Sequence, residues 1–271
     1  MRLISKYVSA AVFIALIAGC TRSPYHTTNK VYRKQAKAFA ARLKAQPEMT
    51  GNDSIKAPEY LVGTTNFTMR KPNFVIIHHT LQSSSEQTLM TFTLPRTEVS
   101  SHYLVGKDGT VYHLLNDYLR AHHAGVGKWG NVTDMNSCSI GIELDNNGAE
   151  PFAEAQIASL LSLLSRLKQD YNIPPANFIG HADFAPARKS DPSIFFPWKT
   201  LSEKGFGLWY SDTLKDVPAG FNARMALRVI GYDTRDTTAA IRAFRRHYMQ
   251  DTGRQLAPAD LNVLYDLMNK N

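Results

Sequence analysis

The sequence predicts an α/β domain followed by a small helical one, and three observations carry that expectation. Short β-branched runs recur at 74–77, 100–115, 139–144 and 177–180; an amphipathic helical stretch interrupts them at 151–168; beyond residue 220 the spacing is helical. Strands alternating with helices make a sheet covered by helices. Phe74-Val75-Ile76-Ile77 is short, β-branched and apolar throughout, as a buried strand is. In SSHYLVGKDGTVYHLL two apolar runs flank Gly106-Lys107-Asp108-Gly109, which signals a hairpin. SIGIEL at 139–144 is a further short strand. Pro151 suits a first helical position, and Ile157, Leu160, Leu161, Leu164 and Leu167 then line one face. Pro174-Pro175 stops that helix, and residues 177–180 return as a strand ending at His181. GFGLWYSD at 205–212 has no strong period and marks a boundary.

After that boundary, helices are expected at 221–230, 237–249 and 259–269. Their apolar pairs are Met225 with Val229, Ile241 with Phe244 and Tyr248, and Leu261 with Leu264, Tyr265 and Met268. Gly231 closes the first helix, and Asp236 or Thr237 caps the second.

The N-terminus has a different composition. Arg2 and Lys6 precede an almost wholly apolar stretch at 8–18, with small residues before Cys20. This is the pattern of a secretory signal, too short for a comfortable membrane span. Ile17-Ala18-Gly19-Cys20 resembles the bacterial lipobox, which implies cleavage before Cys20, lipid on its thiol and amine, and attachment to a membrane. Thr21 replaces the aspartate that often retains such proteins at the inner membrane, so the outer membrane is the expected address. Residues 20–70 are then a tether and a wrap, with a basic helical stretch at 33–46.

Removing residues 1–19 from 271 leaves 252, enough for one large and one small domain. The formal charge of +8 falls to +6 with Arg2 and Lys6 gone, and that surplus favours an anionic polymer or lipid surface. Nucleic acid does not fit behind a secretion signal. Cys20 and Cys138 are the two cysteines, so a lipidated Cys20 leaves Cys138 without an intrachain partner, a small core residue rather than a nucleophile.

The chain contains no HExxH, no paired CxxC and no GxSxG. It does place histidines at strand ends: His78 follows FVII and His181 follows NFIG. If those strands are parallel, both emerge at the carboxyl edge, where open sheets hold their ligands. Asp191, ten residues past His181 in the loop GHADFAPARKSDP, can return to the same ion. Asp183 in that loop competes for a metal role but is better suited to a structural one.

FVIIHHT, SSHYLVGKDGTVYHLL, AHHAG, SIGIEL and GHADFAPARKSDP resemble, in order and separation, the successive blocks of the zinc-dependent N-acetylmuramoyl-L-alanine amidase family. The fold is shared with phage lysozyme-type amidases and peptidoglycan recognition proteins, and the resemblance covers about residues 70–200. It extends to the lipid-anchored outer-membrane branch, which carries a C-terminal peptidoglycan-binding module. The resemblance implies a mixed central sheet flanked by helices and one Zn2+ per chain, held by His78, His181 and Asp191. It places the catalytic pair on Glu143 and Lys189, with Glu143 moving protons and Lys189 stabilising the oxyanion. The reaction implied is hydrolysis of the amide between the lactyl group of N-acetylmuramic acid, intact or 1,6-anhydro, and L-alanine. Peptidoglycan and muropeptides are the implied partners.

His123, in AHHAG, is expected to touch substrate. His79 should point to the sheet face opposite His78, and His102 and His113 are expected as core residues. LRVIGYD and TTAAIRAFRRHY resemble a peptidoglycan-binding module, although its glycine-rich loop is reduced to Thr234-Arg235-Asp236. The expected organisation is a lipoprotein signal at 1–19, a tether and wrap at 20–70, a catalytic domain at 71–204 and a peptidoglycan-binding-like domain at 205–271. The alternatives are a non-catalytic peptidoglycan-binding lipoprotein and a two-histidine phosphoesterase. The second would need two H-x-[ST] motifs in one site, and beyond His78-His79-Thr80 the sequence offers His26-Thr27-Thr28, which falls in the expected tether.

Overall fold

The computed structural model describes residues 23–44, 64–66 and 68–270; the signal and lipobox lie outside these. The chain divides into two units, Met1–Gly63 and Thr64–Asn271. In the first, α1 (His26–Lys44) starts earlier than the expected 33–46 and has no buried residue. Lys30, Arg33, Lys34, Lys37, Arg42 and Lys44 make it strongly basic, with no acidic residue to offset them. Among the described residues, no helix is long and apolar enough to cross a membrane.

In the second unit five strands form one sheet: β1 (Phe74–His79), β2 (Tyr103–Val105), β3 (Val111–His113), β4 (Ser139–Leu144) and β5 (Phe178–Gly180). Their order is β3-β2-β4-β1-β5. β2, β4, β1 and β5 run parallel, and the hairpin adds β3 antiparallel at one edge. The interior strand β1 is buried along its whole length, which is why Phe74-Val75-Ile76-Ile77 reads as a continuous apolar run rather than an alternating one.

Period-2 alternation still sorts the two faces. Val75, Ile77, Ile140, Ile142 and Leu144 pack against Leu160, Leu163, Leu164 and Leu167 of the helix α4 (Glu154–Tyr171). Each fully buried leucine is worth about 1.5–3 kcal/mol. Phe74 and Ile76 face the other way, toward Ala124, Met135 and Phe184. His78 continues this second set and His79 the first, as alternation requires. By the same count Ser139, Gly141 and Glu143 share the face of His78.

Pro151 does not begin α4, contrary to the sequence-based expectation. The helix starts at Glu154, because Phe152 is drawn into the core against Phe196, with ring centroids 5.1 Å apart. Asn146 Nδ2 also donates to the carbonyls of Glu150 and Pro151, which holds that segment extended. Three short helices lie between α1 and α4 or soon after: α2 (Ser85–Thr93), α3 (Met135–Cys138) and, beyond β5, α5 (His181–Phe184). α6 (Trp198–Glu203) follows.

The C-terminal helices are α7 (Ala223–Ile230), α8 (Thr237–Tyr248) and α9 (Pro258–Lys270), with an apolar cluster of their own around Leu227, Phe244 and Leu264. Asp236 caps α8, accepting from Ala239 N. Gly231 ends α7 at φ +133°, where a Cβ would strike the Trp129 ring. The expected apolar faces need two corrections. Met225 and Val229 are exposed, and α7 buries Ala226, Leu227 and Ile230 instead. In α9 the buried apolar residues are Val263, Leu264 and Leu267, so of the expected row Leu264 is buried and Met268 packs at the margin of the cluster, while Leu261 and Tyr265 are only partly covered.

Candidate metal centre

Parallel β1 and β5 end side by side, in the register Ile77 to Gly180, so His78 and His181 leave the sheet at the same edge. Asp191 returns through the loop after α5, whose path is pinned by Ala182 N donating to Asp191 O at 2.7 Å. The three side chains converge. His78 Nδ1 is 2.9 Å from His181 Nδ1, and Asp191 Oδ2 is 3.1 and 3.0 Å from the two nitrogens. All three residues are buried, and among the described residues this is the one cluster with metal-ligand geometry.

The proton positions show what the triangle accepts. His181 Nε2 lies 2.9 Å from the Ala124 carbonyl, which can only accept, so that nitrogen carries a hydrogen and Nδ1 is the one turned to the triangle. Arg188 donates to the same carbonyl at 2.7 Å and steadies it. Burial and the neighbouring His181 lower the His78 pKa to about 4, so its imidazole is neutral. Burial pushes the Asp191 carboxyl up, but the contacts with His181 and His78 outweigh it and hold the group well below the usual carboxylate range. Two imidazoles and one carboxylate aimed at a common point match the donor set of a catalytic zinc site.

Glu143 stands beside His78 in register on the adjacent strand β4. Its Oε2 is buried without a hydrogen-bond partner. Burial raises its pKa to about 8, the Asp191 charge adds to the rise, and Lys189 opposes it. A half-buried carboxyl with one enclosed, unpaired oxygen and a raised pKa has the properties of a proton carrier. Lys189, in the loop between His181 and Asp191, is close enough for its charge to lower the pKa of both His78 and Glu143.

The remaining histidines divide. His102 is a satisfied core residue: Nδ1 accepts from Gly141 N at 3.0 Å and Nε2 donates to Leu119 O at 3.0 Å. His113 is not; it is exposed on the edge strand, stacked on Tyr103 and 3.3 Å from Asp117. His79 is buried on the α4 side of the sheet with both ring nitrogens unpartnered, and burial lowers its pKa.

His123, expected to touch substrate, has both ring nitrogens engaged by the protein. It turns both ring nitrogens inward, Nδ1 to His78 Nε2 at 3.0 Å and Nε2 to Ser139 Oγ at 3.2 Å. The reason is the missing side chain at Gly141, where a Cβ would lie 2.5 Å from the His123 ring.

Asp183 takes the structural role. It accepts from Gly180 N at 2.7 Å, Tyr232 Oη at 3.0 Å and His247 Nδ1 at 2.8 Å, and so ties α8 to α5, which carries His181. Cys138 is half-buried and free, and burial raises its pKa, the opposite of an activated nucleophile. Ala124, Arg188 and Ser139 escape sequence reasoning, because what they contribute is a carbonyl, a carbonyl partner and a hydroxyl set by the fold.

Residues 68–194 match the family model described as N-acetylmuramoyl-L-alanine amidase. The chain is similar to N-acetylmuramoyl-L-alanine amidase AmiD of Escherichia coli K12, 38% identical over 152 residues, which are 50% of this chain and 54% of the relative. It is also similar to 1,6-anhydro-N-acetylmuramyl-L-alanine amidase AmpD of Haemophilus influenzae, 36% identical over 102 residues, 37% of this chain and 55% of the relative. The matches thus span about half the length of these curated relatives. Among solved structures, the complex of E. coli AmiD with anhydro-N-acetylmuramic acid-L-Ala-D-gamma-Glu-L-Lys superposes with a TM-score of 0.68 at 27% identity, covering 80% of this chain and 97% of that one. AmpDh3 of Pseudomonas aeruginosa in complex with anhydromuramic pentapeptide gives 0.68 at 28% identity, covering 80% and 98%.

Proposed function

We propose that the chain, whose residues 68–194 match the N-acetylmuramoyl-L-alanine amidase family model, hydrolyses the amide between the lactyl group of N-acetylmuramic acid and L-alanine. The observation that carries the proposal is the buried triangle of His78, His181 and Asp191 with the unpaired carboxyl of Glu143 beside it. The relatives crystallised with anhydromuramyl peptides support muramyl peptides as the substrate class, in the 1,6-anhydro form at least. His78, His181 and Asp191 would hold one zinc ion, which when bound lowers the pKa of water toward about 7 and polarises a carbonyl. Glu143 takes the proton from the attacking water and delivers it to the departing alanine nitrogen. Lys189 supplies positive charge beside the carbonyl oxygen as that oxygen becomes anionic. A non-catalytic binder of peptidoglycan has no use for a carboxyl kept unpaired at this position.

Muropeptides digested with the purified chain should release free stem peptide and unsubstituted muramic or anhydromuramic ends, as read by mass spectrometry. A zinc chelator should stop the release and added zinc restore it. Muropeptides left whole, or cut within the peptide or the glycan, would defeat the assignment.

The anchor is also part of the proposal: lipid on Cys20, attachment to the periplasmic face of the outer membrane, and an enzyme facing the wall. The uncompensated basic charge of α1 supports a place next to an anionic envelope surface. Residues 205–271 would serve as the peptidoglycan-binding-like domain. Radiolabelled palmitate should enter the wild-type chain and not Cys20→Ser; equal label in both would remove the anchor from the reading.

A further inference from the structure

A chain of hydrogen bonds runs backward from the metal triangle, and its far end has a single possible polarity. Ser139 Oγ lies 2.5 Å from the Met135 carbonyl. A carbonyl has no proton to give, so the one hydroxyl proton of Ser139 points at Met135. Ser139 Oγ must therefore accept from His123 Nε2, 3.2 Å away. A neutral imidazole carries one ring proton, and the partners of the His123 ring nitrogens are a histidine and a hydroxyl rather than a carboxylate that would hold a second proton. With that proton on Nε2, His123 Nδ1 is an acceptor. It lies 3.0 Å from His78 Nε2, which must then be the donor.

The surroundings fix this arrangement. Asn136 Oδ1 accepts from both His123 N and Ala124 N, at 3.0 and 2.9 Å, and locks the backbone carrying the ring. Gly141 leaves the space that the ring fills.

We propose that His123 is a positioning residue: through Ser139 and the Met135 carbonyl it fixes the ring proton of His78 on Nε2, so that Nδ1 is presented bare to the metal. His181 is oriented the same way by a different acceptor, the Ala124 carbonyl. The two metal-facing histidines thus each have a dedicated outer partner, one a backbone carbonyl and the other a histidine relay. Such partners set the tautomer and ring orientation of a ligand, and losing one costs about 10–100-fold in metal affinity.

The inference rests on the zinc reading, and the test separates the two. His123→Leu fills similar space and cannot accept a proton; His123→Gln can accept from His78 through Oε1 and donate to Ser139 through Nε2. Zinc affinity measured by competition with a chromogenic chelator should fall by about tenfold or more in His123→Leu and recover for the most part in His123→Gln. In zinc-loaded wild type with 15N-labelled histidine, the NMR spectrum should show protons on Nε2 of both His78 and His123, with His123 Nδ1 bare. Equal affinity in the Leu and Gln variants, or a proton on His123 Nδ1 in wild type, would overturn the relay while leaving the metal site intact. Should His123→Leu fail to fold, the wild-type spectrum decides. A wild type that takes up no zinc overturns the metal reading instead, and the relay with it.

Discussion

Glu143→Ala should keep its zinc and lose turnover by a factor of about 10²–10⁴, the usual contribution of a positioned acid or base. The side chain is outside the ligand triangle, so its removal takes no donor from the metal. Its Oε2 makes no hydrogen bond within the protein, so little else depends on it. Metal analysis of the purified variant beside a muropeptide assay separates the roles: full activity ends the proton-carrier assignment, and lost zinc makes Glu143 part of the metal site.

The raised pKa adds a second expectation in the metal-free protein. Burial lifts the folded-state value to about 8 from an ordinary 4.5. Between those two values the folded state holds a proton that the unfolded chain has released, so stability falls as pH rises through that window. Glu143→Gln removes the titration. It should melt with wild type near pH 4 and be more stable by on the order of a few kcal/mol above about pH 8. Parallel melting curves across that range would reveal the expected divergence. A bound dication would draw the carboxyl down, so the acid limb of activity in the zinc enzyme should lie below 8.

His181→Ala should abolish stoichiometric zinc binding and activity together. It removes one of three inner donors, so the loss should exceed the roughly 10–100-fold that changes in outer partners cost. It also leaves the Asp191 carboxylate and His78 facing a gap in a buried site. Added zinc raises the melting temperature of any chain whose folded form binds it, so wild type should gain thermal stability with zinc and His181→Ala should not. A variant that binds zinc within a few-fold of wild type would remove His181 from the ligand set.

Much of this site was legible in the sequence. His78 and His181 each follow a short β-branched run, and the parallel pairing of those strands brings both to one edge. The hairpin around Gly106 and the strand SIGIEL also stand where their residues indicated. The errors came from signals of equal strength that tertiary packing decided. Met225 with Val229 satisfies helical spacing as well as Leu227 with Ile230 does, but Leu227 and Ile230 meet Phe244 and its neighbours. Pro151 was a sound start for a helix until Phe152 was needed in the core. His113 looked like a core histidine because the sequence does not say that its strand lies at the edge of the sheet.

What the sequence determined by itself was local: which runs become strands, where turns fall, and that strand-end histidines and a downstream aspartate are available as ligands. Hydrophobic period and turn chemistry are properties of neighbouring residues, so one dimension suffices to read them. What only the tertiary structure decided was direction. Which ring nitrogen of His78 and His181 is bare depends on acceptors at Ala124 and on the His123–Ser139 pair, contacts made between elements far apart in the chain. The same holds for Glu143, an unremarkable carboxylate by sequence. Its proton affinity is set by its burial and by the charges of Asp191 and Lys189, and those quantities exist only once the chain has folded.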